Sequence, residues 1–379
     1  MSMFGRSVQI FFSIGLLLFC SAAFGASEDY RVSKAKSHDE AEASAYAELL
    51  KEDRPLSSES IEKFKLALRT YGWPTVASVG LDTVDAIGRL LLDAGLDPLF
   101  QEDVLRAMDP QVSVDIDPYA YARLVDEIQI KNRESQRYGT VIHQDVDGKA
   151  IVPSMPKSLS GLRFYRDFYG LEDASSQLQR VQRRLDEGLS LDEANPFPRL
   201  SVEFAGYQLA ELRQELGRMI ESDQRTRHAL IGAKTDAEKE QLRAAVERAD
   251  ADNLSRLHEI LEQHGFPGVA QVGRDGVSTF FLLVQHASDV ELQRRALDLA
   301  KPLMETRQLS RQQFALLTDR VLLAEGKKQL YGTQTDRVDG KIVLKPVEDI
   351  AHLDARRMQM AMGPSEEYLD LIRARYQDK

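Results

Sequence analysis

GVSTFFLLVQHASDVELQRRALDLAKPLMETRQLSRQQFALLTDRVLLAEGKKQLYGTQ, residues 276–334, contains two apolar segments with polar groups set inside them. Val277, Phe280, Phe281, Val284 and Ala287 share one helical face, and Leu282 and Leu283 cover much of the other. The spacing therefore predicts a helix over 277–287 that is buried all round. Phe314, Leu316, Leu317, Val321, Leu322 and Leu323 predict a second such helix over 311–324, enclosing Asp319 and Arg320. Buried charges have to be paired. Neighbours on a helix point about 100° apart, so Asp319 and Arg320 each need a separate partner. His286 and a backbone amide are expected for Asp319, and Tyr331 or a carbonyl for Arg320.

His286 and Asp319 form the candidate catalytic acid/base pair, because an imidazole held by a carboxylate is poised to move protons near neutral pH. Gln285, Arg320, Tyr331 and Gln334 are the candidate pocket groups: a cation with amides that donate and accept suits an anionic or amide-bearing ligand. The same residues also read as a buried polar network that fixes helix packing. Spacing alone leaves both readings open.

Working outward, Gly72-Trp73-Pro74 and Val79-Gly80 recur as Gly265-Phe266-Pro267 and Val272-Gly273, 193 positions later. At the same shift Leu124 and Asp126 meet Leu317 and Asp319, Gln136 meets Gln329, and Tyr138-Gly139-Thr140 meets Tyr331-Gly332-Thr333. Asp147-Gly148-Lys149 returns as Asp339-Gly340-Lys341 after a one-residue slip. Matches in this order predict a tandem duplication of two domain-sized modules rather than a solenoid. The copies part at Leu92 and Asp93 against Gln285 and His286, Glu127 against Arg320, and Val141 against Gln334. What both keep reads as scaffold, and what only the second keeps reads as the candidate site.

The remaining signals predict a mainly α fold with short β-hairpins, α+β in class. Ile61, Phe64, Leu66 and Leu68 predict a helix stopped at Gly72-Trp73-Pro74, and a further helix follows over 84–94. Asp97-Pro98 and Asp117-Pro118 each pair an N-cap with a proline at the first helical position. β-Branched residues around Asp147-Gly148 predict a hairpin. Glu203 to Ala251 predicts a long helical hairpin broken near Gly232. The expected layout is a signal peptide over 1–25, a degenerate module over 26–170 beginning with a frayed polar arm that carries a short helical pattern around Tyr46 to Lys51, a charged linker over 171–204, and a second module over 205–379.

The second module resembles a bacterial domain family of unknown function marked by VG, QHA, DRV and YGTQ. The resemblance runs from about Tyr207 to Tyr376. It includes Asp223-Gln224, Asp252-Asn253, Val272-Gly273, Gln285-His286-Ala287, Asp319-Arg320-Val321 and Tyr331-Gly332-Thr333-Gln334. It implies no activity.

Arg6, the apolar run Ile10–Cys20 and the small residues ending in Ala23-Phe24-Gly25 predict a secretory signal cleaved after Gly25. Its apolar run is too short to span a bilayer, so a periplasmic or secreted soluble protein is expected. Bulky Phe19 disfavours lipidation at Cys20. Cys20 is the only cysteine, and its removal leaves no disulfide, thiolate nucleophile or thiolate metal ligand.

The 379-residue chain carries a net charge of −11, which disfavours nucleic acid and anionic membranes as partners. No zinc spacing, complete calcium loop, nucleophile elbow or phosphate loop stands in the sequence, so neither metal nor cofactor is expected. The expected function is an exported binding or interaction protein, such as an inhibitor or immunity-type factor, whose partner is a protein or a small polar ligand. The alternative is a hydrolase-like enzyme using His286 and Asp319.

Overall fold

The computed structural model describes residues 40–377 apart from 94–95, 113–114, 156–157, 203–205 and 340. The expected signal peptide, Cys20 and the turn residue Gly340 lie outside the described residues. The fold is mostly helical with two small antiparallel two-stranded sheets, and the chain divides into two compact units between Gln208 and Leu209.

The first unit contains α1 (Glu40–Leu49), α2 (Ser58–Tyr71), α3 (Val76–Val79), α4 (Leu81–Leu90), α5 (Pro98–Met108) and α6 (Pro118–Lys131). A hairpin of β1 (His143–Gln144) and β2 (Ala150–Ile151) follows, then α7 (Leu159–Phe168), α8 (Ala174–Asp186) and α9 (Leu191–Ala194). Asp97 and Asp117 accept backbone N–H bonds at the starts of α5 and α6, each with proline at the first helical position. Phe64, Trp73, Ile87, Leu90, Met108 and Leu124 pack into one core.

Two expectations fail here. The short helix expected around Tyr46 to Lys51 is present as α1, but it is not frayed, because it buries Tyr46 and Leu49 in that core. Residues 171–200 are not a linker. The Gln177 amide on α8 donates to the Tyr119 hydroxyl at 2.7 Å and to the Thr140 carbonyl at 3.1 Å. Val181 and Ala194 pack with Ile142 and Ala150 in a small core of their own. Leu200 is fully buried in the main core, and its carbonyl accepts from Asp117 N at 2.8 Å. The charge of this segment lies on the outer face of an amphipathic helix, so composition concealed a few buried anchors.

The second unit opens with the helical hairpin α10 (Ala210–Gly232) and α11 (Asp236–His264). It continues with α12 (Val269–His286), α13 (Val290–Glu305), α14 (Arg311–Ala324), the hairpin β3 (Thr335–Val338) with β4 (Lys341–Leu344), α15 (Leu353–Gln359) and α16 (Ser365–Gln377). α10 packs against both α11 and α12, and α13 against α14. Phe266 meets Phe280 edge to face at 5.0 Å, within a core that also holds Leu257, Ile260, Phe281 and Leu317. α12 is kinked at Gly273, where φ is 79°. Gly80 holds φ of 85° between α3 and α4, so each unit bends its chain at the glycine 193 positions from the other. Only glycine takes this conformation without strain.

The same local wiring occurs in each unit. Asp126 accepts from the backbone amides of Arg137, Tyr138 and Thr140 and from the Thr140 hydroxyl, at 2.7–2.9 Å. Asp319 accepts from the amides of Leu330, Tyr331 and Thr333 and from the Thr333 hydroxyl, with a shortest bond of 2.7 Å. Gln136 exchanges bonds with Val141, and Gln329 with Gln334, its amide donating and its carbonyl accepting in both cases. Gly139 and Gly332 sit between at φ of 62°. An arginine closes each turn: Arg166 donates to the Tyr138 carbonyl at 2.6 Å, and Arg357 to the Tyr331 carbonyl at 2.8 Å. These two arginines are 191 positions apart, so the fixed sequence register did not reveal them.

Candidate functional site

Four helices of the second unit bring polar side chains into one largely buried group centred on Asp223. α10 supplies Asp223, Gln224 and Arg227, α11 supplies Asp250, the last residue of α12 is His286, and α14 supplies Arg320. One turn of helix separates Asp223 from Arg227, which places them on the same face of α10. The Arg227 Nε donates to Asp223 at 2.9 Å, and its Nη2 reaches across to Asp250. His286 Nδ1 stands 2.9 Å from Asp223 Oδ2, with the imidazole side chain only 2% exposed. The Gln224 amide donates to the same oxygen at 2.8 Å. Asp223 is fully buried and is the hub of the group.

The histidine therefore has a carboxylate partner, but it is not Asp319. Asp319 is occupied by the Leu330–Thr333 turn, so the expected His286–Asp319 pair is corrected to His286–Asp223. Tyr331 does not hold Arg320 either; its ring packs by Ala315, Met360 and Met362. The Gln334 side chain donates to Thr333 Oγ1 at 3.1 Å and serves the turn. Gln285 is buried next to His286 in sequence, and its Oε1 has no hydrogen-bond partner among the described residues.

Arg320 has the most exceptional surroundings. Among the described residues it makes no hydrogen bond and no ion pair; its Nε is sealed from solvent while the residue as a whole is partly exposed. Burial and then the charge of Arg227 bring its guanidinium down to about 10. Two further atoms of the group lack partners among the described residues, His286 Nε2 and Gln224 Oε1. Buried polar groups are ordinarily satisfied, and clustered exceptions need a cause such as a bound ion, water or ligand, or a chemical role.

Electrostatics set the protonation states. Burial lowers the imidazole of His286, Asp223 opposes this, and the nearby charges of Arg227 and Arg320 push it down further. Burial raises the Asp223 carboxyl, but His286 and Arg227 outweigh it and hold the group below the usual range. Asp250 is pushed up to about 6, chiefly by burial, with Asp223 adding to the rise and Arg227 opposing it. At pH 7 the group thus holds a neutral imidazole bonded through Nδ1–H to a carboxylate.

Titration of His286 and Asp250 acts on stability in opposite directions. A depressed histidine contributes stability that is lost as pH falls below about 6.5, because the unfolded chain takes up the proton first. A raised aspartate contributes stability that is lost as pH rises through about 6. Between pH 7 and pH 5 the Asp250→Asn variant is therefore expected to lose stability more steeply than the natural protein, and His286→Gln less steeply. The slopes should differ by up to about 1.4 kcal/mol per pH unit. Urea unfolding at pH 5, 6 and 7 measures them, and three parallel slopes would refute the assignment.

The first unit does not reproduce the group. Asp93, 193 positions before His286, accepts from Leu56 N with both carboxylate oxygens at 3.2 Å. Glu127, 193 positions before Arg320, is paired with Arg123 at 2.9 Å.

Residues 210–379 match a family of unknown function, DUF6624. The matched stretch holds all four helices that build the polar group. The first unit lies outside it. No curated protein and no solved structure matches the chain. Sequence reading marked His286, Arg320, Gln285 and the Asp223-Gln224 pair, but it gave the last no role and passed over Arg227 and Asp250. The Asp223/Arg227 spacing was the available signal, though on a helix as polar as α10 it is indistinguishable from a solvated ion pair.

Proposed function

We propose that the second unit is a ligand-binding module of an exported protein, and that the first unit is a degenerate tandem copy kept for its scaffold. Residues 1–25 direct export in this reading. The wiring shared at a shift of 193 supports duplication, and the replacement of His286 and Arg320 by Asp93 and Glu127 supports loss of the site from the first copy. The ligand is small and polar, with an anionic or strongly accepting group for Arg320.

One observation carries the reading: a guanidinium with its Nε sealed from solvent has neither hydrogen bond nor ion pair among the described residues. A network kept for stability satisfies its members, since a buried polar atom left unpaired costs more than an apolar group in its place. Sites held ready for a ligand pay that cost in the free protein. A second reading, acid/base catalysis, draws on the His286–Asp223 bond. The carboxylate fixes Nδ1–H and leaves Nε2 a neutral base, with Asp223 as a positioning residue.

Arg320→Met separates a ligand site from a structural network without knowledge of the ligand. Methionine keeps the length of the side chain and removes the unpaired charge. The expected result is an unchanged or raised Tm in the ligand-free protein. A loss of more than about 2 kcal/mol in chemical unfolding would place Arg320 in the scaffold and end the proposal.

A further inference from the structure

The donor and acceptor pattern around Asp223 is fixed by covalent chemistry. An ionised carboxylate only accepts, so His286 presents Nδ1–H to it and Gln224 turns its NH2 group toward it. Each then has an acceptor left over, His286 Nε2 and Gln224 Oε1. Both are buried and without a donor among the described residues. Arg320 offers the complement: an unused N–H donor and a positive charge that reaches the imidazole. The group lacks one anionic oxygen and one or more hydrogen-bond donors.

Few groups supply both on a single centre. Sulfate and simple carboxylates carry charge at neutral pH but no hydrogen to give. Amides and alcohols give a hydrogen but carry no charge. A phosphate group with one ester bond or none keeps or readily regains a proton near pH 7, because its second ionisation lies close to 6–7. We infer that the second unit binds a protonated oxyanion, the phosphate group of inorganic phosphate or of a small phosphomonoester, with Arg320 on an anionic oxygen and the P–OH hydrogen donated to His286 Nε2 or Gln224 Oε1. The inference rests on the ligand-site reading above and specifies the ligand class.

Calorimetric titration of the full mature chain at pH 7 and constant ionic strength tests it, with inorganic phosphate, glycerol phosphate and sulfate as separate ligands. Expected is binding of at least one phosphate, with sulfate weaker by about tenfold to a hundredfold because it leaves buried acceptors unpaired. Arg320→Met should abolish that binding. Equal affinity for sulfate would overturn the inference and show that charge alone is recognised. No binding of either phosphate at about 10 mM, or phosphate binding that survives Arg320→Met, would overturn it as well. Failure here with an Arg320→Met protein of undiminished stability removes phosphate as the ligand and leaves the ligand site standing. An unstable Arg320→Met protein removes the site itself.

Discussion

Asp319→Ala is expected to cost about 3–5 kcal/mol of unfolding free energy. The Asp319 carboxylate takes three backbone N–H groups and one hydroxyl, all from Leu330 to Thr333, and is itself fully buried. Alanine leaves those donors without an acceptor and opens a void beside them. Each stranded donor costs roughly 1–3 kcal/mol, with partial relief as the turn relaxes. Asp319→Asn should fall between, because one amide oxygen replaces two carboxylate oxygens that each accept twice.

The same change in the first unit, Asp126→Ala, has the same cause and should have a similar effect. Trp73 is the one tryptophan of the chain and is buried in the first unit's core, so its fluorescence reports that unit, whereas far-ultraviolet circular dichroism reports both. Losses below about 1 kcal/mol for both alanine variants would show that the turns stand without their carboxylates.

This division of roles explains which features the sequence revealed. α14 runs from Arg311 to Ala324, the range its apolar spacing predicts, because a helix boundary depends on local features: Ser310 caps its start and Gly326 takes positive φ just beyond its end. The Tyr-Gly-Thr motifs at Gly139 and Gly332 were legible as scaffold because they recur at a fixed shift. Partner choice was not. His286 lies 63 positions from Asp223 and 33 from Asp319, and nothing in spacing says which carboxylate it meets. That depends on α10 packing against α12, which is decided by Leu216 and Ile220 entering the core with Phe280 and Phe281. The burial of 171–200 was hidden likewise, because Gln177, Val181 and Leu200 anchor a segment whose composition is otherwise that of a solvated surface.

The hub of the site should tolerate change least. In Asp223→Ala, His286 Nδ1–H, Arg227 Nε–H and the Gln224 NH2 lose their common acceptor at once, and among the described residues Arg227 keeps only Asp250. Removing one partner of a buried ion pair while the other stays costs about 3–5 kcal/mol, and chemical unfolding at pH 7 should show a loss of that size. The contrast with Arg320→Met is the informative part. Asp223 bonds the His286 imidazole and Arg320 acts on it by charge, but Asp223 is satisfied by three neighbours and Arg320 by none among the described residues. One substitution should therefore unfold what the other leaves intact. If Asp223→Ala and Arg320→Met destabilise equally, the group is a single structural network; if neither does, Asp223 is not its hub. A steep loss at Asp223 beside indifference at Arg320 is what a preorganised site requires: a rigid carboxylate that fixes the tautomer of His286, and a cation held nearby for a charge the protein does not itself provide.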